Sequence, residues 1–171
     1  DNTTAVADNM TVSFAALADG TYNDCYIKVT DSAGNSRIIK VNTFTIDTIA
    51  PNLAEIDPVD TPTNDNSTLN YTFSSTEYGN ITYGGLCSSS SDNTSVGGPD
   101  NAPANNAITF NALAEGTYGP DNCTIAVTDN ASNTSDNLSV SSFRIHTTAP
   151  ILSLVTAEYT PNKETTTKLP P

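Results

Sequence analysis

The chain has 171 residues, a formal net charge of −13, and six Lys or Arg against 19 Asp or Glu, with no basic side chain between Lys40 and Arg144. Phosphate-binding surfaces need clustered Lys and Arg, so this balance excludes nucleic acid and anionic membrane surfaces as partners. No apolar run approaches the roughly 20 residues of a membrane span, so no membrane insertion is expected of this segment.

Taken in chain order, the apolar residues recur with period two over short runs, the signature of strands with one buried and one wet face. Val12, Phe14 and Leu17 open a cluster, followed by LADGTY (17–22), Cys25, TDSAGN (30–35) and FTIDTIAP (44–51). Strands are then expected at 53–57, 68–74 and 79–84; Leu69, Tyr71 and Phe73 alternate strictly. The Ser-, Asp- and Gly-rich stretch 88–105 reads as a long loop or weak edge strand. Later strands are expected at 107–111, 123–128 and 137–145, with Cys123, Ile125 and Val127 alternating in the second. Thr supplies 27 residues, and its β-branched side chain suits the water-facing positions of strands. No stretch carries helical spacing beyond two turns, so the fold class is all-β.

The strongest signal is an internal repeat. Residues 11–51 return as 107–150 with about twenty identities, among them Phe14/Phe110, Tyr22/Tyr118, Cys25/Cys123, Asp31/Asp129, Phe44/Phe143 and Pro51/Pro150. A period near 98 residues is too long for a solenoid and matches one β-sandwich of roughly 100 residues. The phase is uneven. Residues 51–150 make one complete unit, and residues 1–50 hold only the second half of a preceding one. Residues 151–171 hold the first strand of a following unit, or a donor strand for a neighbouring subunit, with Ile151, Leu152, Leu154 and Val155 as its apolar positions. A half-sandwich leaves sheet edges and an apolar face uncovered, so residues 1–50 require upstream or neighbouring-chain strands to complete them.

The set LADGTY, VTDSAGN and FTIDTIAP, repeated as LAEGTY, VTDNASN and FRIHTTAP, resembles bacterial Ig-like domains that occur in tandem in secreted surface proteins, adhesins and stalks. The resemblance implies Greek-key β-sandwiches whose F–G hairpin carries the TDxAGN segment and whose last strand ends at the junction to the next domain. The second copy departs from the pattern at Ser132, where Gly34 stands in the first, and at His146, where Asp47 stands. Tyr22 and Tyr118, each following a Gly in a tight corner, are placed to bond backbone across it as in a tyrosine corner.

Cysteine usage points to an oxidising compartment, hence a secreted or cell-surface location. Cys87 and Cys123 lie in the complete unit and are expected to pair across the sandwich, closing a loop of 36 residues. The equivalent partner of Cys25 would lie in the missing half, so Cys25 pairs with another chain, with sequence outside this segment, or stays free. Asp31 and Asn35, with Asp47 and Asp57 near the junction, form a candidate hard-oxygen set for Ca²⁺. The competing reading makes TDSAGN a hairpin turn in which Asp31 bonds its own backbone and Gly34 or Asn35 takes a positive φ. Ten N-x-S/T triplets, at Asn2, Asn9, Asn66, Asn70, Asn80, Asn93, Asn122, Asn130, Asn133 and Asn137, exceed chance about twofold and are candidate glycan acceptors.

No catalytic residues are assigned and the chain is not read as an enzyme. His146 is its single imidazole, in a junction segment with no nucleophile placed beside it. A Lys–Asn isopeptide inside 51–143 is excluded for want of Lys, and a Cys–Gln thioester for want of Gln. The expectation is a structural protein of the cell exterior, a stalk or filament of tandem domains whose partners are copies of itself or adjacent repeats. The second class is an adhesin binding a surface ligand through its loops, with 88–105 the best surface.

Overall fold

A computed structural model describes residues 11–90, 92–95, 97 and 103–154. Among these residues it is all-β. Thirteen strands run in chain order: β1 (Gly20–Tyr22), β2 (Tyr26–Thr30), β3 (Ser36–Lys40), β4 (Phe44–Ile46), β5 (Leu53–Asp57), β6 (Leu69–Ser75) and β7 (Gly79–Gly85). They continue as β8 (Thr94–Ser95), β9 (Ala104–Phe110), β10 (Gly116–Tyr118), β11 (Cys123–Asp129), β12 (Leu138–Ser139) and β13 (Phe143–Ile145). No helix among the described residues is long and apolar enough to cross a membrane.

The alternating runs become strands because each has one apolar face to bury. On β6, Leu69, Tyr71 and Phe73 are buried while Asn70 is exposed, and the antiparallel register sets Leu69 opposite Phe110 and Tyr71 opposite Ile108 on β9. With β5 on the other side of β6 this makes a sheet of order β5-β6-β9. A second sheet runs β12-β11-β7-β8, with Ile125 facing Tyr83 and Val127 facing Ile81. The β10–β13 pair continues the chain path of β11 and β12, and residue Thr63 bridges in parallel to Ile145. The two sheets meet face to face: Tyr83 of β7 sits edge-on to Phe110 of β9, with ring centres 6.2 Å apart. One cluster that includes Tyr71, Phe73, Phe110, Ile125, Phe143 and Ile145 fills the space between them. Each such side chain contributes about 1.5–3 kcal/mol by leaving water, so residues 51–150 hold a β-sandwich-type core.

Two expected strands come out differently. The run 137–145 divides into β12 and β13, because its partner is itself divided: a turn closed by Asn122 N–H donating to the Gly119 carbonyl at 3.0 Å separates β10 from β11. Strand β9 starts three residues earlier than its apolar pattern indicates, since Asn105 and Asn106 continue the ladder opposite Ser74 and Phe73.

Residues 11–50 repeat the local pairings of the second half of this architecture. The pairs Gly20↔Ile46 and Tyr22↔Phe44 reproduce Gly116↔Ile145 and Tyr118↔Phe143. The Tyr22–Phe44 rings stack 5.3 Å apart, as do Tyr118 and Phe143. Strand β2 pairs with β3 as β11 pairs with β12, with Ile27 opposite Ile39 and Ile125 opposite Leu138.

Candidate functional site

The two copies share their local structure and differ in what covers them. Phe110 is 1% exposed and its equivalent Phe14 is 50% exposed; Val127 is 0% exposed and Val29 is 46%. Val12, Leu17 and Ile39 are exposed as well, whereas Ile108 is buried. Residues 11–50 therefore leave exposed or only half-buried the side chains whose equivalents form the core of the complete unit.

The edge of β2 is open in the same way. In the complete unit β11 is flanked by β12 and by β7, with seven registered pairs on the β7 side. Among the described residues β2 pairs with β3 alone. The Cys25 carbonyl accepts from Val41 N–H at 2.9 Å and so points toward β3. Backbone groups alternate sides along a strand, which turns those of Tyr26, Lys28 and Thr30 to the edge that no described strand covers. Unpaired edges template the addition of further strands.

The cysteines follow this division. Cys87 and Cys123 form a disulfide with Cα atoms 5.1 Å apart, and Cys25 is a half-buried free thiol. The bond does not cross the sandwich as expected. Cys123 lies opposite Gly85, so Cys87 stands two residues past the end of the neighbouring strand in the same sheet. Just beyond it, Ser88 bonds Asn111, the residue that follows β9 of the other sheet. The staple thus lies beside a tie between the two sheets.

Corners and turns are formed twice. The Tyr22 hydroxyl donates to the Ala18 carbonyl and the Tyr118 hydroxyl to the Ala114 carbonyl, both at 2.9 Å. The Asp31 carboxylate accepts from Ala33 N–H, Asn35 N–H and the Asn35 side chain, and Gly34 takes φ of 89°. Those Asn35 bonds hold the Asp31 carboxyl below the usual range. Asp129 and Asn133 repeat the arrangement, with Ser132 at φ of 75° in place of the glycine.

The four oxygen ligands read from the sequence do not converge. Asp31 and Asn35 close their own turn and Asp57 ends β5. Asp47 instead meets Glu77 and Asp129, all three offering carboxylate oxygens within 4.8 Å of one another. This group lies where the chain leaves the half-unit: the Asn133 side chain donates to the Asp47 carbonyl at 3.2 Å, and Asn52 exchanges two hydrogen bonds with Thr76. Burial raises the Glu77 pKa, and the charges of Asp47 and Asp129 raise it further. Burial opposes the charge of Asp129 too, but bonds from Asn133, Ala131 and Ser132 outweigh it and keep its carboxyl low. Within this cluster the upward shift falls on Glu77. Its oxygens are of the hard type that Ca²⁺ takes, though three carboxylates supply only part of the six to eight ligands such an ion uses.

His146 is engaged with Glu115, Nδ1 to Oε1 at 2.7 Å, while Glu115 Oε2 accepts from the backbone and hydroxyls of Thr147 and Thr148. Led by the Thr148 hydroxyl and His146, these bonds bring Glu115 down to about 2. Asp19 accepts from Thr48 at the equivalent place. The carboxylate clasps the end of the last strand in both copies.

Of the candidate glycan acceptors, Asn66, Asn70, Asn80, Asn93, Asn130 and Asn137 are exposed. Asn122 and Asn133 are half-buried with carboxamides in use: Asn122 Oδ1 caps Gly119 N–H, and Asn133 Nδ2 donates to both Asp129 and Asp47. Asn2, Asn9 and Val155 lie outside the described residues, as does part of 88–105. Ile151, Leu152 and Leu154 are 92–95% exposed.

Glu77 and Glu115 escaped sequence reading for different reasons. Glu77 joins its cluster only through the packing of three separate segments. Glu115 is visible in principle, since an acid precedes GTY and a Thr stands two residues before the final Ala-Pro in both copies. Comparison with protein-family models, curated proteins and solved structures found no match for this chain.

Proposed function

We propose that this chain is a structural component of the cell exterior, built from tandem Ig-like sandwiches into a stalk or filament. In this reading residues 11–50 are a half-sandwich completed by strands from an adjoining repeat or a neighbouring copy. The observation that carries it is the contrast between the copies: Phe14 and Val29 are open where Phe110 and Val127 are buried, and Tyr22, Phe44 and Ile46 are half-buried where Tyr118, Phe143 and Ile145 are buried. Burying a face of this kind supplies association energy without a dedicated ligand site. Head-to-tail completion that does not close into a ring extends into fibres. The disulfide fits an oxidising compartment. Exposed Asn and Thr at turns, with net negative charge, keep such an array hydrated and apart from nucleic acid.

Immunogold electron microscopy of intact source cells, with antibodies to residues 51–150, tests this reading. Label recurring along external stalks or fibres is expected. Label confined to the cell interior contradicts it.

A further inference from the structure

We propose that the strand closing residues 11–50 is of the β7 type, lies antiparallel on β2, and brings a cysteine that forms a disulfide with Cys25. The inference rests on the half-sandwich reading and names the partner of the open edge.

Register carries the argument. On β11, Gly85 lies opposite Cys123, Tyr83 opposite Ile125 and Ile81 opposite Val127. The repeat equivalents of Cys123, Ile125 and Val127 are Cys25, Ile27 and Val29. An incoming strand of β7 sequence therefore sets an aromatic on Ile27 and a branched aliphatic on Val29. Its cysteine, two residues past the position opposite Cys25, then reaches Cys25 as Cys87 reaches Cys123. Its backbone meets the outward groups of Tyr26, Lys28 and Thr30.

Chemistry narrows the partner further. Gly85 has φ of 73°, and a Cβ there would run into the Asn122 carbonyl, which also accepts Leu86 N–H at 2.7 Å. Asp24 holds that place in the half-unit. The partner segment thus carries glycine two residues before its cysteine, as Gly85 stands to Cys87. The sequence that begins at Ile151, read as the start of a further unit, does not meet these terms. Its equivalent, β5, pairs with β6 only, and the half-unit has no strand of that kind among the described residues.

In the oxidising compartment the two thiols lose two electrons and two protons to a small-molecule disulfide, which is reduced to two thiols. The test uses exchange instead. A peptide of residues 76–90 is supplied with Cys87 as its mixed disulfide with glutathione. The Cys25 thiolate attacks the Cys87 sulfur, the bond to glutathione breaks, and glutathione leaves as a thiolate that takes up a proton.

The peptide is added to the intact chain beside a scrambled peptide keeping its cysteine and a peptide of residues 150–162. Amide exchange at Tyr26, Lys28 and Thr30 is followed by NMR, and the Cys25–Cys87 cross-link by mass spectrometry. The expected result is slowed exchange at those three amides with the 76–90 peptide. Its cross-link should form at least about tenfold faster than with the scrambled peptide, from the raised effective concentration. Cys25→Ser should keep the slowed exchange without the cross-link, and a Gly85→Val peptide should lose both. Cross-linking no faster than the scrambled control overturns the proposal, as does protection by the 150–162 peptide alone. If the three amides are already protected in the free chain, the half-sandwich reading itself fails and the inference falls with it.

Discussion

Replacing Phe110 by Ala and, separately, Phe14 by Ala sets two equivalent residues in opposite surroundings. Phe110 is fully buried, with Tyr71 at 5.6 Å and Tyr83 at 6.2 Å between ring centres. Its truncation removes the transfer energy of a ring and leaves a cavity that a two-sheet core fills only in part, which costs about 4 kcal/mol. For a domain of this size each kcal/mol lowers the melting temperature by about 4–8 °C, so the complete unit should melt about 15–30 °C lower. Phe14 is half exposed and keeps one ring contact, Phe44 at 6.0 Å. Truncation there loses about half of a side-chain transfer energy and opens no cavity, about 1 kcal/mol, and leaves the melting of residues 51–150 unchanged. Urea and thermal unfolding followed by far-UV circular dichroism measure both. Equal losses for Phe14→Ala and Phe110→Ala would show a closed core around Phe14 and refute the reasoning.

Removing the disulfide with Cys87→Ala and Cys123→Ala together frees a loop of 36 residues; loop entropy puts the cost at about 4 kcal/mol, read as a shift in the urea midpoint. Ser132→Gly relieves a left-handed backbone that its equivalent Gly34 takes freely and should stabilise the complete unit by about 0.5–1 kcal/mol in the same assay. Glu77 has its folded pKa raised above 4.5, so stability falls as pH rises through that folded value. Glu77→Gln should therefore raise the melting temperature at pH 7 and lose the advantage below about pH 4.5. Glu115 has the opposite sign: its folded value near 2 lies below the ordinary 4.5, so its contribution is full above 4.5 and disappears as pH falls toward 2. Glu115→Gln should lower the melting temperature at pH 7 and match the parent chain at pH 2.

What sequence reading could reach was whatever short range decides. The tyrosine corners, the Asp–Asn turns and the β2–β3 and β11–β12 hairpins form alike in both copies, because each is closed by bonds within a few residues. The pairing of Cys87 with Cys123 was legible from the repeat. Its geometry was not, because which sheet holds each cysteine depends on the register of β7 on β11. The same limit hid the junction cluster. The place of Asp47 near the junction groups it with Asp31, Asn35 and Asp57, while packing assembles it with Glu77 and Asp129. The open face of residues 11–50 was anticipated from the phase of the repeat, and Phe14 and Val29 give it its extent.

Amide hydrogen exchange on the dilute monomer tests the central claim most directly, read residue by residue at Tyr26, Lys28 and Thr30 against Thr124, Ala126 and Thr128. The second trio faces β7 inside a closed sheet and the first faces an uncovered edge. The account predicts exchange at least about a hundredfold faster at Tyr26, Lys28 and Thr30, the contrast between an open edge and a core strand. Equal protection of the two trios would mean that residues 11–50 are already complete, and would contradict it.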